Sequence, residues 1–237
     1  MTPCRAGAAA LQSIDPKWQG AVMTVPVDAV TAIHNAFRAD MTLIDSAALA
    51  SARGRPGLEE TVERFRFFNE VLEWHAHGEE VAIFTALEEV APEVAWAYDQ
   101  DHRGLDAAFA ELNRSVSVHD PLETARATAA FKFHLDLHLF KEERHVYRLI
   151  QERISMPDQG KAVGLMAQSV PPDRFPEVIA WMFPLIGDDD RENMTRIWSM
   201  VLPGPAFTGA LALIRQAIGD DYAELLRRVP DLPDPER

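Results

Sequence analysis

The sequence predicts an all-α protein: an antiparallel up-down-up-down four-helix bundle with additional C-terminal helices packed on it. Three observations point there. From residue 26 onward apolar residues recur at three- and four-residue spacing, and no stretch alternates as a strand does. Proline and glycine cut this periodic region into helices of about 25–30 residues. The connections between them are short, which makes consecutive helices antiparallel neighbours.

Residues 1–25 hold only a short Ala-rich run before polar residues begin, and read as an irregular lead-in without the apolar core of a signal peptide. The first helix covers about 26–52 and stops at Arg53-Gly54-Arg55-Pro56-Gly57. The second covers about 58–87. The third starts near Pro92 and reaches about Val116. The fourth has the best start signal in the chain, with Asp120 as N-cap, Pro121 at the first helical position and Glu123 at the third. It continues to about Ser155, where Pro157 and Gly160 end it. Residues 26–155 are thus expected to form the bundle. Residues 156–237 read as a helical extension of shorter helices, broken by Pro171-Pro172, Pro176, Pro184, Pro203 and Pro205. Its apolar runs, FPEVIAWMF, WSMVL and FTGALALI, call for packing against the bundle.

Composition narrows the function. The 237 residues carry 37 acidic against 23 basic side chains, a net charge of −14. That argues against nucleic acid and anionic membrane as partners, since affinity for phosphate rests on Lys and Arg. No stretch is apolar over the ~20 residues a transmembrane helix needs. The single cysteine, Cys4, excludes an intrachain disulfide and fits a reducing compartment, so a cytoplasmic location is expected.

All eight histidines fall between His34 and His145. On a helix, residues four apart share a face, so His-x-x-x-Glu aims an imidazole and a carboxylate at one point. The second helix carries His75 and Glu79 at that spacing, and the fourth carries His138 and Glu142. A third pair, His119 and Glu123, straddles the helix start and shares no face. In an up-down-up-down bundle His34, His75, His102 and His138 lie at similar depth from one end, within on the order of 9–14 Å at ~1.5 Å per residue. Buried imidazoles and carboxylates need a partner. Two divalent cations bridged by the two glutamates would satisfy them. Imidazole with carboxylate and open positions favours non-haem iron over structural zinc, which prefers thiolates and a closed shell.

The order His34, then HAHGEEVAIFTAL with His75 and Glu79, then His102, then HLFKEERHVYRL with His138 and Glu142 resembles the hemerythrin-like cation-binding family over roughly residues 26–152. The resemblance implies a bundle holding an oxo- or hydroxo-bridged pair of irons, with the four histidines as terminal ligands and Glu79 and Glu142 as bridges. Oxygen-carrying hemerythrins place two histidines one turn apart on the third helix. Here that helix has only His102, with Tyr98 one turn before and Asp106 one turn after. Either could ligate, donate a hydrogen bond to a bound ligand, or leave a second position open. On the fourth helix His134, His138, Glu142 and His145 fall on one stripe at 100° per residue, which makes His134 and His145 candidates for an extra ligand or proton donor. His77 and His119 read as surface and loop residues, and Glu80 and Glu143 as solvated.

The expected function is binding or sensing of dioxygen, nitric oxide or peroxide at the iron pair. Two alternatives use the same residues: a di-iron oxidase, oxygenase or peroxide-decomposing enzyme with a pocket shaped by the C-terminal helices, and iron storage or iron sensing.

Overall fold

The computed structural model describes residues 25–118 and 120–232 and is helical throughout, with no strand among the described residues. The lead-in, Cys4 and His119 lie outside them. Helix α1 spans Asp28–Ala52 and α2 spans Leu58–Gly78. The second helix runs on through a π-helical turn, Glu79–Phe84, into α3 (Thr85–Glu88). Helix α4 spans Pro92–Ser117. Helix α5 (Pro121–Lys141) likewise runs through a π-helical turn, Glu142–Val146, into α6 (Tyr147–Arg153). The C-terminal part contains α7 (Met156–Ala167), α8 (Phe175–Leu185), α9 (Asp188–Val201), α10 (Gly204–Ile218) and α11 (Tyr222–Arg228).

The local signals act as read. Oδ1 of Asp120 accepts from the backbone N–H groups of Leu122 and Glu123, both at 2.9 Å, which satisfies two donors the helix start leaves orphaned. The Glu123 side chain pairs with Arg126 instead of reaching back, so only half of a capping box forms. Gly57 sits at φ 119°, a conformation that closes the turn before α2 and that a side chain would resist.

Helix α1 packs on α2 and α5, and α4 packs on α5 and on the first π turn. At one end of the bundle, rings from the early part of α2 (Phe65), the late part of α4 (Phe109) and the early part of α5 (Phe131) meet with centroids 5.5–6.4 Å apart. Early residues of one helix meeting late residues of the next is the signature of antiparallel neighbours. The opposite end shares its core with the C-terminal helices: α7 covers α2 and the first π turn, α8 and α9 lie on α1, and α10 closes over α8 and α9. Trp181 Nε1 donates to Oδ2 of the buried Asp40 at 2.7 Å, tying α8 to α1. The approach of α7 is close. A Cβ on Gly78 would meet Met166 Cγ at 2.7 Å and the Met166 carbonyl oxygen at 3.0 Å. Among the described residues no helix is long and apolar enough to cross a membrane.

Candidate metal centre

Four helices contribute to one buried layer. His34 comes from α1, His75 from the end of α2, His102 from α4 and His138 from α5, while Glu79 and Glu142 each open a π turn. All six are buried, both glutamates completely. Nε2 of His75 and of His102 lie 3.3 and 3.5 Å from Glu79 Oε2. Nε2 of His138 and of His102 lie 3.2 and 3.4 Å from Glu142 Oε1, and Nε2 of His34 lies 3.6 Å from Glu142 Oε2. The layer resolves into two overlapping donor sets, His34, His75 and Glu79 on one side and Glu79, His102, His138 and Glu142 on the other. Within each set the ligating atoms lie within 4.8 Å of one another. Each carboxylate therefore touches imidazoles of both sets.

The donor set fits cations. Glu79 Oε2, both oxygens of Glu142 and His102 Nε2 are buried without a hydrogen-bond partner, an arrangement costing about 1–3 kcal/mol per atom and more where charge is involved. A metal ion among them satisfies all four at once. Nitrogen and carboxylate donors without thiolate suit iron, manganese or a catalytic zinc better than a structural zinc site. The electrostatics agree. Burial pushes the His75 imidazole down to about 4, holding it neutral as a ligand must be. Burial also acts to raise Glu142, but His138 and His102 beside it hold the carboxyl well below its ordinary value. Burial and the charge of Glu142 act to raise Glu79, and His75 and His102 outweigh them. Burial opposes charge on His102, yet Glu142 and Glu79 drive it up to about 11. The two carboxylates that can hold a cation thus hold a proton on His102, and a metal would replace it.

Two outer carboxylates orient the rings. Glu143 Oε1 lies 3.1 Å from His34 Nδ1, and Glu80 Oε1 lies 3.1 Å from His102 Nδ1. An Nδ1–H donated outward leaves Nε2 as the inward lone pair. Glu80 and Glu143 are therefore not simply solvated: each follows a buried glutamate, and the start of the π turn directs it onto a histidine from another helix. Arg38 Nη1 donates to Glu143 at 2.8 Å and to Asn35 Oδ1 at 3.1 Å, and Asn35 Nδ2 donates to Asp190 Oδ2 at 2.8 Å. A polar chain thus runs from His34 to α9. Apolar rings flank the layer, with Phe37 5.1 Å from His75 and Phe84 4.9 Å from His102, centroid to centroid.

The remaining candidates sit outside the layer or at its edge. Tyr98 is buried, and its hydroxyl lies 2.9 Å from the Lys141 carbonyl oxygen and 3.0 Å from His145 Nδ1. The hydroxyl donates to the carbonyl and accepts from the ring. His145 is itself exposed, contrary to the stripe expected for the fourth helix. His145 lies within the π turn Glu142–Val146, whose wider repeat takes it off the 100° stripe and rotates the residues after it. Asp106 is exposed on α4, away from the layer. His134 is exposed with its ring against Phe133, and it lines an open cleft of about 250 Å³ that ends on His138. His77 is exposed.

Sequence reasoning missed Tyr147, read only as part of an apolar continuation. Its buried hydroxyl lies 2.9 Å from His34 Nε2 and donates a short hydrogen bond to Glu79 Oε1. The signal would have been five-residue spacing from Glu142, which an ideal helix does not place on the same face. On the His75 side a narrow, partly open apolar chamber of about 70 Å³ lies between α1, α2 and the C-terminal helices, walled by Trp74, Met166, Met182, Met194 and Trp198 among others.

The family model described as the hemerythrin HHE cation binding domain matches residues 25–150. Among curated proteins the chain is similar to zinc finger protein BRUTUS of Arabidopsis thaliana, 27% identical over 178 residues, which is 72% of this chain and 14% of that protein. A BRUTUS-like zinc finger protein of the same plant is 27% identical over 182 residues with the same coverage. This chain thus spans about one seventh of their length. With a single cysteine it has no thiolate cluster of its own to match the zinc finger in their names. No solved structure matches it.

Proposed function

Because the chain belongs to the hemerythrin HHE cation-binding domain family, we propose that it is a non-haem di-iron protein that binds or senses dioxygen or a related small redox ligand such as nitric oxide or peroxide. The observation that carries this reading is the sharing of Glu79 and Glu142 between two histidine pairs, at 3.2–3.6 Å from imidazoles of both. In this reading His34 and His75 would hold one iron and His102 and His138 the other, with Glu79 and Glu142 within reach of both. Ferrous iron supplies the electrons and the open coordination position for the ligand. The chain supplies the rest. Glu80 and Glu143 fix ring orientation, and Phe37 and Phe84 exclude water. The chamber beside His75, at about 70 Å³, suits a diatomic molecule and is far below the roughly 300–1,000 Å³ of sites for organic ligands. Partners of this kind require no basic surface, in keeping with the net charge of −14, and a cytoplasmic location fits the single cysteine.

Metal content tests the reading first. Protein reconstituted anaerobically with ferrous iron should hold two irons per chain, and dioxygen or nitric oxide should then produce new visible bands that vanish in His75→Ala. Fewer than one iron per chain, with His75→Ala behaving as wild type, would overturn it. A second reading, iron sensing, is favoured by the orphaned buried atoms of Glu79, His102 and Glu142. They make the bundle's stability depend on iron, so that iron supply itself becomes the signal. A bundle whose iron is retained through dioxygen exposure but whose folded fraction tracks free iron would favour that reading.

A further inference from the structure

Glu79 and Glu142 each begin a π turn, and the residue five positions beyond each returns to the layer: Phe84 after Glu79, Tyr147 after Glu142. Phe84 lays its ring 4.9 Å from His102, and Tyr147 lays its ring 5.3 Å from His34. The two positions are counterparts, and only one carries a hydroxyl.

That hydroxyl stands among ligating atoms at ligand spacing. Donors bound to one metal at about 2.1 Å and near right angles are about 3 Å apart. His34 Nε2 and His75 Nε2 are 3.1 Å apart, His75 Nε2 and Glu79 Oε2 are 3.3 Å apart, and the Tyr147 oxygen is 2.9 Å from His34 Nε2 and closer still to Glu79 Oε1. Two imidazole Nε2 atoms and a phenol oxygen converging on one carboxylate outline the edges of a single coordination shell. Tyr147 is 2% exposed, so no water competes for its oxygen from outside. A hydrogen bond to Glu79 alone would not require the oxygen to face His34 Nε2 as well.

We propose that Tyr147 is a ligand of the metal ion held by His34, His75 and Glu79, bound through its phenolate oxygen, while the ion at His102 and His138 has no such ligand. On binding, the phenol O–H bond breaks, the oxygen bonds to the metal, and the proton is taken up by solvent base; nothing is oxidised or reduced in the step. The anionic oxygen favours the ferric state of the iron it touches, so the two metals of the pair are inequivalent. The proposal rests on the di-iron reading above.

The test uses the full chain loaded with ferric iron, with metal analysis and resonance Raman spectra excited in the visible. Wild type is expected to show a phenolate-to-iron charge-transfer band with enhanced tyrosine ring modes that shift on ring-deuterated tyrosine labelling. Tyr98→Phe and Tyr222→Phe should keep the band. Tyr147→Phe, which preserves the buried ring, should lose it while retaining iron. Should Tyr147→Phe fail to fold, the labelled wild type combined with Tyr98→Phe and Tyr222→Phe still decides, because the chain has three tyrosines. Bound iron without phenolate modes, or modes surviving Tyr147→Phe, would overturn the ligand proposal alone. A chain that binds no iron would overturn both it and the di-iron reading.

Discussion

The Nδ1 atom of His34 lies 3.1 Å from the Glu143 carboxylate, so the ring is aimed by a residue from a helix other than its own. Glu143 is in turn held by Arg38 at 2.8 Å, and its carboxyl is kept low, against the effect of its own burial, by His34 and Arg38. Glu143→Ala should weaken iron binding by about 10- to 100-fold, the usual cost of losing such an orienting group, as read by competition with a chelator. Glu80→Ala on His102 should cost less, because Glu80 is the more exposed carboxylate. Equal affinity in wild type and Glu143→Ala would show that His34 is positioned by packing alone.

Removal of iron should lower thermal stability. A ligand at 100 times its dissociation constant contributes about 2.7 kcal/mol, and for a chain of this size each kcal/mol moves Tm by roughly 2–4 °C. Chelation should therefore lower Tm by on the order of 5–10 °C, and the drop should reverse on adding iron. Calorimetry of the two forms checks it.

The iron-free protein should be most stable near pH 6.5 and lose stability in both directions. Below that value an unfolded chain protonates His75 at its ordinary 6.5, while the folded chain resists until about 4, so stability is lost as pH falls through this window. Glu79 and Glu142, both lowered, deepen the loss below the ordinary carboxylate value of 4.5. His102 acts in the other direction: its proton, retained up to about 11, contributes stability that is full below 6.5 and lost as pH rises. A bound metal would take the place of that proton, so the alkaline limb should flatten in the loaded form. Urea midpoints across pH, with and without iron, distinguish the two curves.

Gly78 and Gly104 should respond oppositely to alanine. At Gly78 the new Cβ meets the Met166 backbone at 3.0 Å and its side chain at 2.7 Å, so α7 must shift, at a cost of about 1–3 kcal/mol. At Gly104, inside α4, a Cβ meets nothing within 4 Å, and alanine should stabilise by up to about 1 kcal/mol. Differential scanning of both variants tests the close packing of α7 on α2.

The bundle was legible in the sequence because its signals are local: proline and glycine at Arg53–Gly57, Asp120 before Pro121, and apolar spacing between them. His75 with Glu79 and His138 with Glu142 were legible because four-residue spacing is a property of any α-helix, and His34 and His102 because antiparallel helices bring them to the same depth. What spacing could not show is where the helix departs from itself. His145 falls on the ligand stripe and Tyr147 reads as plain core only if the helix stays regular past Glu142, whereas His145 lies within the π turn and Tyr147 directly after it. Asp106 and His134 fall one turn from His102 and His138 but on the solvent side of their helices, a distinction set by how helices rotate against one another and written in no short pattern. The roles of Glu80 and Glu143 depend on partners 22 and 109 residues away.

The π turns also bear on how chains of this kind should be aligned. Each is a one-residue insertion that costs regular backbone hydrogen bonds and is held in place by what it delivers, Phe84 in one case and Tyr147 in the other. Deleting a single residue just after Glu142 would leave His138-x-x-x-Glu142 intact as a string while turning the tyrosine out of the layer. Two proteins with identical ligand motifs can therefore surround their metals with different groups, and the length of chain immediately after each glutamate distinguishes them.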